Sequence, residues 1–267
     1  MPKPQVLIIG DICVDRYWVV GGTGRFSPEA PEVPVYGVEG HFDLPGMAGN
    51  VERNCQNLGC DTWLPTVEYP QMPVKNRLVT PEGQQLARWD ESDWCQESAV
   101  PWAPAARAVV VCDYGKGAVT ARVIEEIRRL YVPRYVPILV DTKDDPQRFA
   151  GCWAWFFPNR QEHEYWRAQY DALPSVVLKR GDQGMEFRVY GKPVETVAAH
   201  QVPAASVCGA GDTVVAAAAA VLARQPYAEP SIVLGIANLA AAVAVQHPFT
   251  YAPTVRELWR AGHVLLG

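Results

Sequence analysis

Four short apolar runs that close on glycine or aspartate constrain the fold of this 267-residue chain more than anything else in it. They are Val6-Leu-Ile-Ile-Gly10, Val109-Val-Val-Cys-Asp113, Ile138-Leu-Val-Asp141 and Val176-Val-Leu-Lys-Arg-Gly181. An unbroken apolar run of this length suits a strand buried on both faces, as in a parallel sheet covered by helices. Between the second and third runs, Val123, Ile124, Ile127, Leu130 and Tyr131 recur at helical spacing within Thr120 to Tyr131. Strand, helix, strand in that order predicts an α/β fold with a mostly parallel sheet flanked by helices. Ligands of such sheets bind outside the carboxyl ends of the strands. The terminal glycines and aspartates therefore mark the rim of one site.

Two segments depart from this pattern. Residues 17 to 45 carry Gly21, Gly22, Gly24 and then Ser27-Pro-Glu-Ala-Pro-Glu-Val-Pro34, too rich in glycine and proline for a core helix. Val33, Val35 and Val38 suggest a short edge strand, where proline is tolerated. Residues 73 to 90 also read as extended, with a turn at Pro81-Glu-Gly83. Together they predict a small β flap over the strand ends, inserted into a single domain that covers residues 1 to 267. Asp212 to Arg224 predicts a helix with a nearly all-alanine face, and small side chains let a helix lie close to a sheet. Residues 232 to 245 predict a second buried helix, and Thr254 to Leu266 a third.

A formal net charge of −5 offers no general attraction for nucleic acid, so any anion site must be local. Seven cysteines form no Cys-x-x-Cys pair, which reads as buried, reduced thiols in a cytoplasmic protein. The start of the chain lacks the pattern of a signal peptide, and Val214 to Ala223 is too short to span a bilayer. The expected partners are therefore small molecules, with neither nucleic acid nor membrane.

The sharpest chemical signal is Val207-Cys-Gly-Ala-Gly-Asp-Thr213 at the opening of the alanine-rich helix. Small residues let backbone N–H groups approach an anion, and a helix N-terminus adds favourable partial charge. Asp212 can take a proton there from an attacking hydroxyl. The residues alone equally allow a plain helix cap. The run is neither a Walker A loop nor a Rossmann glycine fingerprint.

Gly209-Ala-Gly-Asp212 resembles the signature of the ribokinase-like (PfkB) carbohydrate kinases. Gly10-Asp-Ile-Cys-Val-Asp15 is similar to the first-strand motif of that family. Arg25-Phe-Ser-Pro-Glu-Ala-Pro-Glu-Val-Pro34 resembles one branch, the bacterial D-glycero-β-D-manno-heptose-7-phosphate kinases, as do Gln84 to Asp90, Asp113-Tyr-Gly-Lys-Gly117 and Pro158-Asn-Arg-Gln-Glu162. The resemblance runs from about Val6 to Leu258. It implies a kinase that uses ATP and Mg²⁺, with Asp212 as base and Gly209, Ala210 and Gly211 as the anion hole. It implies Asn159 and Glu162 as positioners of Mg²⁺ through water, and Lys179, Arg180, Gly181 and Gly184 at nucleotide phosphates and ribose. Asn238 would border the adenine. Asp15, Gly46, Asn50 and Asp113 are the candidates for the sugar; Lys116, Arg25, Lys75, Arg77 and Arg88 are those for a phosphate on it. A plain reading stays open for several: Asn159-x-x-Glu162 can be a helix cap, and the basic residues a solvated face.

Three departures from the family stand out. Met47 occupies a usual glycine position, Lys179 a common threonine, and the stretch between Gly59 and Pro73 is short by about one strand–helix unit. The expected function is transfer of the γ-phosphoryl of ATP to the anomeric hydroxyl of a phosphorylated sugar. The alternatives are a kinase for another sugar or nucleoside, and a non-catalytic sugar-phosphate-binding protein. Exposed flap edges make a homodimer through the lid an expectation, because unpaired edges invite pairing.

Overall fold

The computed structural model describes residues 3–65 and 72–265. In chain order the strands are β1 (Gln5–Gly10), β2 (Ile12–Phe26), β3 (Pro34–Met47), β4 (Asp61–Trp63), β5 (Val74–Val79), β6 (Gln85–Glu91), β7 (Ala106–Asp113), β8 (Ile138–Thr142), β9 (Trp155–Phe156), β10 (Val176–Lys179), β11 (Met185–Val189) and β12 (Lys192–Val197). The α-helices are α1 (Ala48–Asn57), α2 (Ala121–Tyr131), α3 (Arg160–Tyr165), α4 (Arg167–Asp171), α5 (Ala210–Arg224), α6 (Pro230–Ala244) and α7 (Val255–Leu265). None of the described helices is long and apolar enough to cross a membrane.

The four apolar runs become β1, β7, β8 and β10 of an eight-stranded sheet ordered β12-β11-β10-β9-β8-β7-β1-β4. Pairing is parallel from β4 through β10, and β11 and β12 close one edge antiparallel. Alternation along each strand divides the apolar residues between two cores. Val6, Ile8, Val110 and Leu139 pack against α1, α5 and α6 on one face. Leu7, Ile9, Val109, Val111 and Val140 meet Val123, Ile124 and Ile127 of α2 on the other. Thr120 caps α2, its hydroxyl accepting from Val123 N at 3.3 Å. On α5 every residue from Thr213 to Ala220 is buried, which the alanine run permits by bringing the helix close to the sheet.

The second sheet has four strands in the order β3-β2-β5-β6. The strand expected near Val33 to Val38 is instead the start of a 14-residue edge strand, paired with the 15-residue β2. Glycines that argue against a helix are tolerated here because the register shifts between Gly21 and Arg25. β5 runs parallel to β2, placing Lys75 opposite Asp15 and Arg77 opposite Tyr17. On β2, Cys13, Asp15 and Tyr17 are buried while their neighbours are more open, so one face of this sheet looks inward. Among its described residues the shortened stretch after Gly59 supplies β4, which closes the larger sheet beside β1; residues 66–71 lie outside the described residues. The helix expected to end at Leu266 spans Val255–Leu265, and residue 266 likewise lies outside the description.

Candidate active site

The N-terminus of α5 points into a cavity of about 550 Å³ at the carboxyl ends of the parallel strands. Gly209, Ala210, Gly211 and Asp212 all line it. Gly209 has φ 77°, and a Cβ there would lie 2.8 Å from Asn50 Nδ2 and 2.9 Å from Thr250 Cγ2. Only glycine fits both demands. The first helical bond runs from Thr213 N to Gly209 O at 3.0 Å, so the Gly211 and Asp212 amides precede the ladder and have no partner within the helix. A Cβ on Gly211 would come 3.4 Å from Lys179 Nζ, which sets an ammonium beside these amides.

Asp212 is held at both oxygens. Asn50 Nδ2 donates to Oδ2 at 2.8 Å, and the Tyr114 hydroxyl donates to Oδ1. Asn50 is itself fully buried in α1, its oxygens accepting from Asn54. Burial pushes the Asp212 carboxyl above its ordinary range, and the Asn50 and Tyr114 hydrogen bonds offset that rise only in part. A carboxylate offers about four lone-pair sites, so two remain for an incoming hydroxyl.

Asp141, at the end of β8, is the hub of the neighbouring wall. Burial raises its carboxyl, but Lys179 at 3.2 Å and Lys143 at 3.3 Å outweigh this and hold it below the usual range. Lys143 also pairs with Glu162. Asn159 and Glu162 form a reciprocal capping box at the start of α3, with bonds of 2.8 Å and 3.0 Å. Asn159 reaches the cavity, as do Gly181 and Gly184. Asn238 lines it too and donates to Ala198 O at 2.7 Å, fixing the loop after β12 that forms this wall.

From the second sheet come Asp15, Lys75 and Arg77. Arg77 Nη1 meets Asp15 Oδ1 at 2.5 Å, with both residues under a tenth exposed. Gly46 backs this pair, since a Cβ there would lie 2.6 Å from Asp15 Oδ2. Met47, beside it, has φ 54° and ψ −127° and is buried against the cavity. That backbone region favours glycine, so the substitution carries strain.

The remaining sequence candidates stand elsewhere. Asp113 is buried under Thr142 Oγ1 at 2.9 Å and Arg148 Nη1 at 3.1 Å, and ties the end of β7 to the turn after β8. Lys116 pairs with Asp93, Arg88 with Asp90 at 2.6 Å, and Arg180 with Glu186 at 2.5 Å; none of the three lines the cavity. Arg25 is exposed at the far end of β2. Asp11 accepts from the Tyr114, Lys116 and Ala118 amides at 2.7–3.1 Å and so shapes that loop.

The sequence profile of the "pfkB family carbohydrate kinase" group matches residues 89–256, more than half of the chain. The chain belongs to that family. That family is described as one of carbohydrate kinases. It is 32% identical over 309 aligned residues to the "Bifunctional protein HldE" of Pseudomonas paraeruginosa, and 30% identical over 318 to that of Vibrio cholerae. These alignments cover 97% and 98% of the kinase but only 64% of either relative. Both are longer than the kinase itself, so the relatives carry internal segments that it lacks. In fold it is similar to the ribokinase of Thermotoga maritima, with a TM-score of 0.74 at 13% identity, covering 97% of the kinase and 99% of that chain. A nucleoside kinase of Methanocaldococcus jannaschii gives 0.72 at 12%, covering 98% and 99%.

Sequence reasoning about the kinase missed Tyr114, Lys143 and Thr250 and used Asp141 only as a strand end. Tyr114 and Lys143 each follow a strand that ends on the rim, so their position was a usable signal. Thr250 lies beyond α6, and nothing local marks it; it is buried, and among the described residues its hydroxyl has no hydrogen-bond partner at ordinary geometry. For a divalent cation, no group of three or more His, Cys, Asp or Glu side chains could hold it among the described residues. Asn159 and Glu162 are already bonded to each other and Glu162 to Lys143. Such a donor set suits the water shell of Mg²⁺, which sheds its waters reluctantly, and not direct ligation.

Proposed function

We propose that the kinase transfers the γ-phosphoryl of ATP to the anomeric hydroxyl of a phosphorylated sugar, D-glycero-β-D-manno-heptose 7-phosphate, giving the 1,7-bisphosphate. Asp212 takes the anomeric proton, the freed oxygen attacks the γ-phosphorus, and ADP leaves with the bridging oxygen. The Gly211 and Asp212 amides and the Lys179 ammonium stabilise the charge that gathers on the transferring group. Asn159 and Glu162 would orient the waters of Mg²⁺, whose chemistry is to neutralise the phosphate oxygens. The loop anchored by Asn238, with Gly181 and Gly184, forms the nucleotide side. Asp15, steadied by Arg77, faces the sugar.

One observation carries the choice of a phosphorylated acceptor. Of the basic side chains Lys75, Arg77, Lys143 and Lys179 in the cavity wall, Lys75 alone makes no ion pair among the described residues. An ammonium without an ion-pair partner suits a dianion, and it stands on the sheet that also bears Asp15. The resemblance of the Ser27-Pro-Glu-Ala-Pro run and its companions to the heptose-phosphate branch favours the particular sugar, as do the HldE relatives. Two copies joined along the β3 or β6 edges form the proposed homodimer, which sedimentation would detect.

The test is kcat/KM for the heptose 7-phosphate, its dephosphorylated form and a panel of other sugars and nucleosides. A hydrogen bond to a charged group is worth roughly 1.5–3 kcal/mol, so Lys75→Ala should raise KM for the phosphosugar about tenfold to a hundredfold. The KM for ATP should hardly move. Equal efficiency with and without the sugar phosphate rejects the phosphosugar reading.

A further inference from the structure

Tyr114 bridges Asp212, the lid and the Asp141 wall. Its hydroxyl donates to Asp212 Oδ1. Its ring centroid lies 5.5 Å from Lys75 Nζ on β5 and 5.2 Å from Lys143 Nζ beyond β8. Its backbone is fixed independently, the amide donating to Asp11 Oδ2 at 2.7 Å. Two ammonium groups at this distance from an aromatic ring are attracted to its face. Asn50 holds the other oxygen of Asp212 from α1, so the carboxylate is clamped from two unrelated elements.

We propose that Tyr114 is a positioning residue for the transfer step: its hydroxyl, aimed by Lys75 and Lys143, fixes Oδ1 of Asp212 so that the carboxylate meets the acceptor hydroxyl in one orientation. The proposal rests on the reading of Asp212 as the base. A hydrogen bond to the ionised form favours that form. Loss of the hydroxyl should therefore both loosen the carboxylate and raise the pH at which it gains a proton. The other groups around Asp212 are Asp141 and Lys179 from β8 and β10, with Cys13 and Cys112 from β2 and β7. The substitution Tyr114→Phe leaves all of them in place and keeps the ring over both lysines.

Two measurements on the full chain test this. In steady-state assays with ATP and the best acceptor, Tyr114→Phe should lower kcat about tenfold to a hundredfold, the range for one hydrogen bond to a charged group. KM for ATP should stay put, and the acid limb of kcat should move to higher pH. The second readout needs no turnover: carbon-13 NMR of aspartate carboxyls, with Asp212 assigned by its loss in Asp212→Asn. The Asp212 midpoint should rise in Tyr114→Phe. It should fall when a fluorinated tyrosine, a stronger donor of nearly the same size, replaces Tyr114. If neither variant moves the midpoint, Tyr114 only fills space and the proposal is overturned. If the wild type phosphorylates no sugar, the functional reading fails, while the carboxyl titration still decides whether Tyr114 sets the state of Asp212.

Discussion

Arg77→Met should destabilise this protein severely, because it strands a buried charge. Arg77 and Asp15 are 7% and 5% exposed and meet at 2.5 Å across the register of β5 and β2. The guanidinium also lies 5.5 Å from the Tyr17 ring, which is itself buried. At under a tenth exposure on the cavity wall, water replaces the lost partner poorly, so the Asp15 carboxylate would keep most of its desolvation cost. Breaking a buried pair on one side typically costs about 3–5 kcal/mol. At about 2–4 °C per kcal/mol for domains approaching this size, Tm should fall by roughly 6–20 °C. Adding Asp15→Asn to Arg77→Met removes the stranded charge and should recover much of the loss, although both variants lose sugar affinity. The assay is a thermal and urea unfolding series on wild type, both single variants and the double. Residues in direct contact should give a coupling energy of about 0.5–3 kcal/mol. A loss below about 1 kcal/mol for Arg77→Met, or strictly additive singles, would refute a coupled buried pair and leave Arg77 as a solvated cavity cation.

Asp212→Asn should lower kcat by about 10²–10⁴ with nucleotide affinity within a few-fold, since the amide keeps the size but takes no proton. Near wild-type turnover in pure variant would remove Asp212 as base. Burial raises the Asp212 carboxyl, and only the ionised form accepts a proton. The wild-type kcat should therefore climb with pH through a midpoint above that of an ordinary aspartate. A rate that stays flat down to the onset of acid unfolding would contradict this. Glu162→Gln should increase the Mg²⁺ concentration needed for half-maximal rate more than it raises KM for the sugar, and full activity in excess chelator would exclude the metal altogether. At Met47, φ 54° and ψ −127° reverse the usual order of truncations: Met47→Gly should be more stable than Met47→Ala by about 1 kcal/mol, the low end of such strain. Chemical unfolding of the two variants checks it.

Much of the fold was legible because its signals are local. Apolar runs ending in glycine or aspartate became the central strands, and the helix expected within Thr120 to Tyr131 became α2 within one residue. The Gly209 to Asp212 turn was legible for the same reason: a helix start, small residues and a carboxylate lie within four positions. The long β2–β3 hairpin was legible only in part, since glycine and proline there suggested no more than a short edge strand, and pairing along β2 made the strand continuous.

The basic residues divide most sharply between what sequence determined and what the tertiary structure decided. By sequence alone Arg25, Lys75, Arg77, Arg88 and Lys116 were equivalent flap or loop cations. A strand's side chains alternate between faces, so a register set by a distant partner decides which of them look inward. Pairing of β5 with β2 turns Lys75 and Arg77 to the cavity beside Asp15, whereas Arg88 and Lys116 find carboxylates of their own. The same holds at Asp212. The chain's own sequence supplied the carboxylate and the helix start. Which groups hold its two oxygens was settled by contacts 98 and 162 residues away along the chain, through Tyr114 and Asn50. No local pattern carries such contacts, because they exist only once α1, β7 and α5 have packed around the same strand ends.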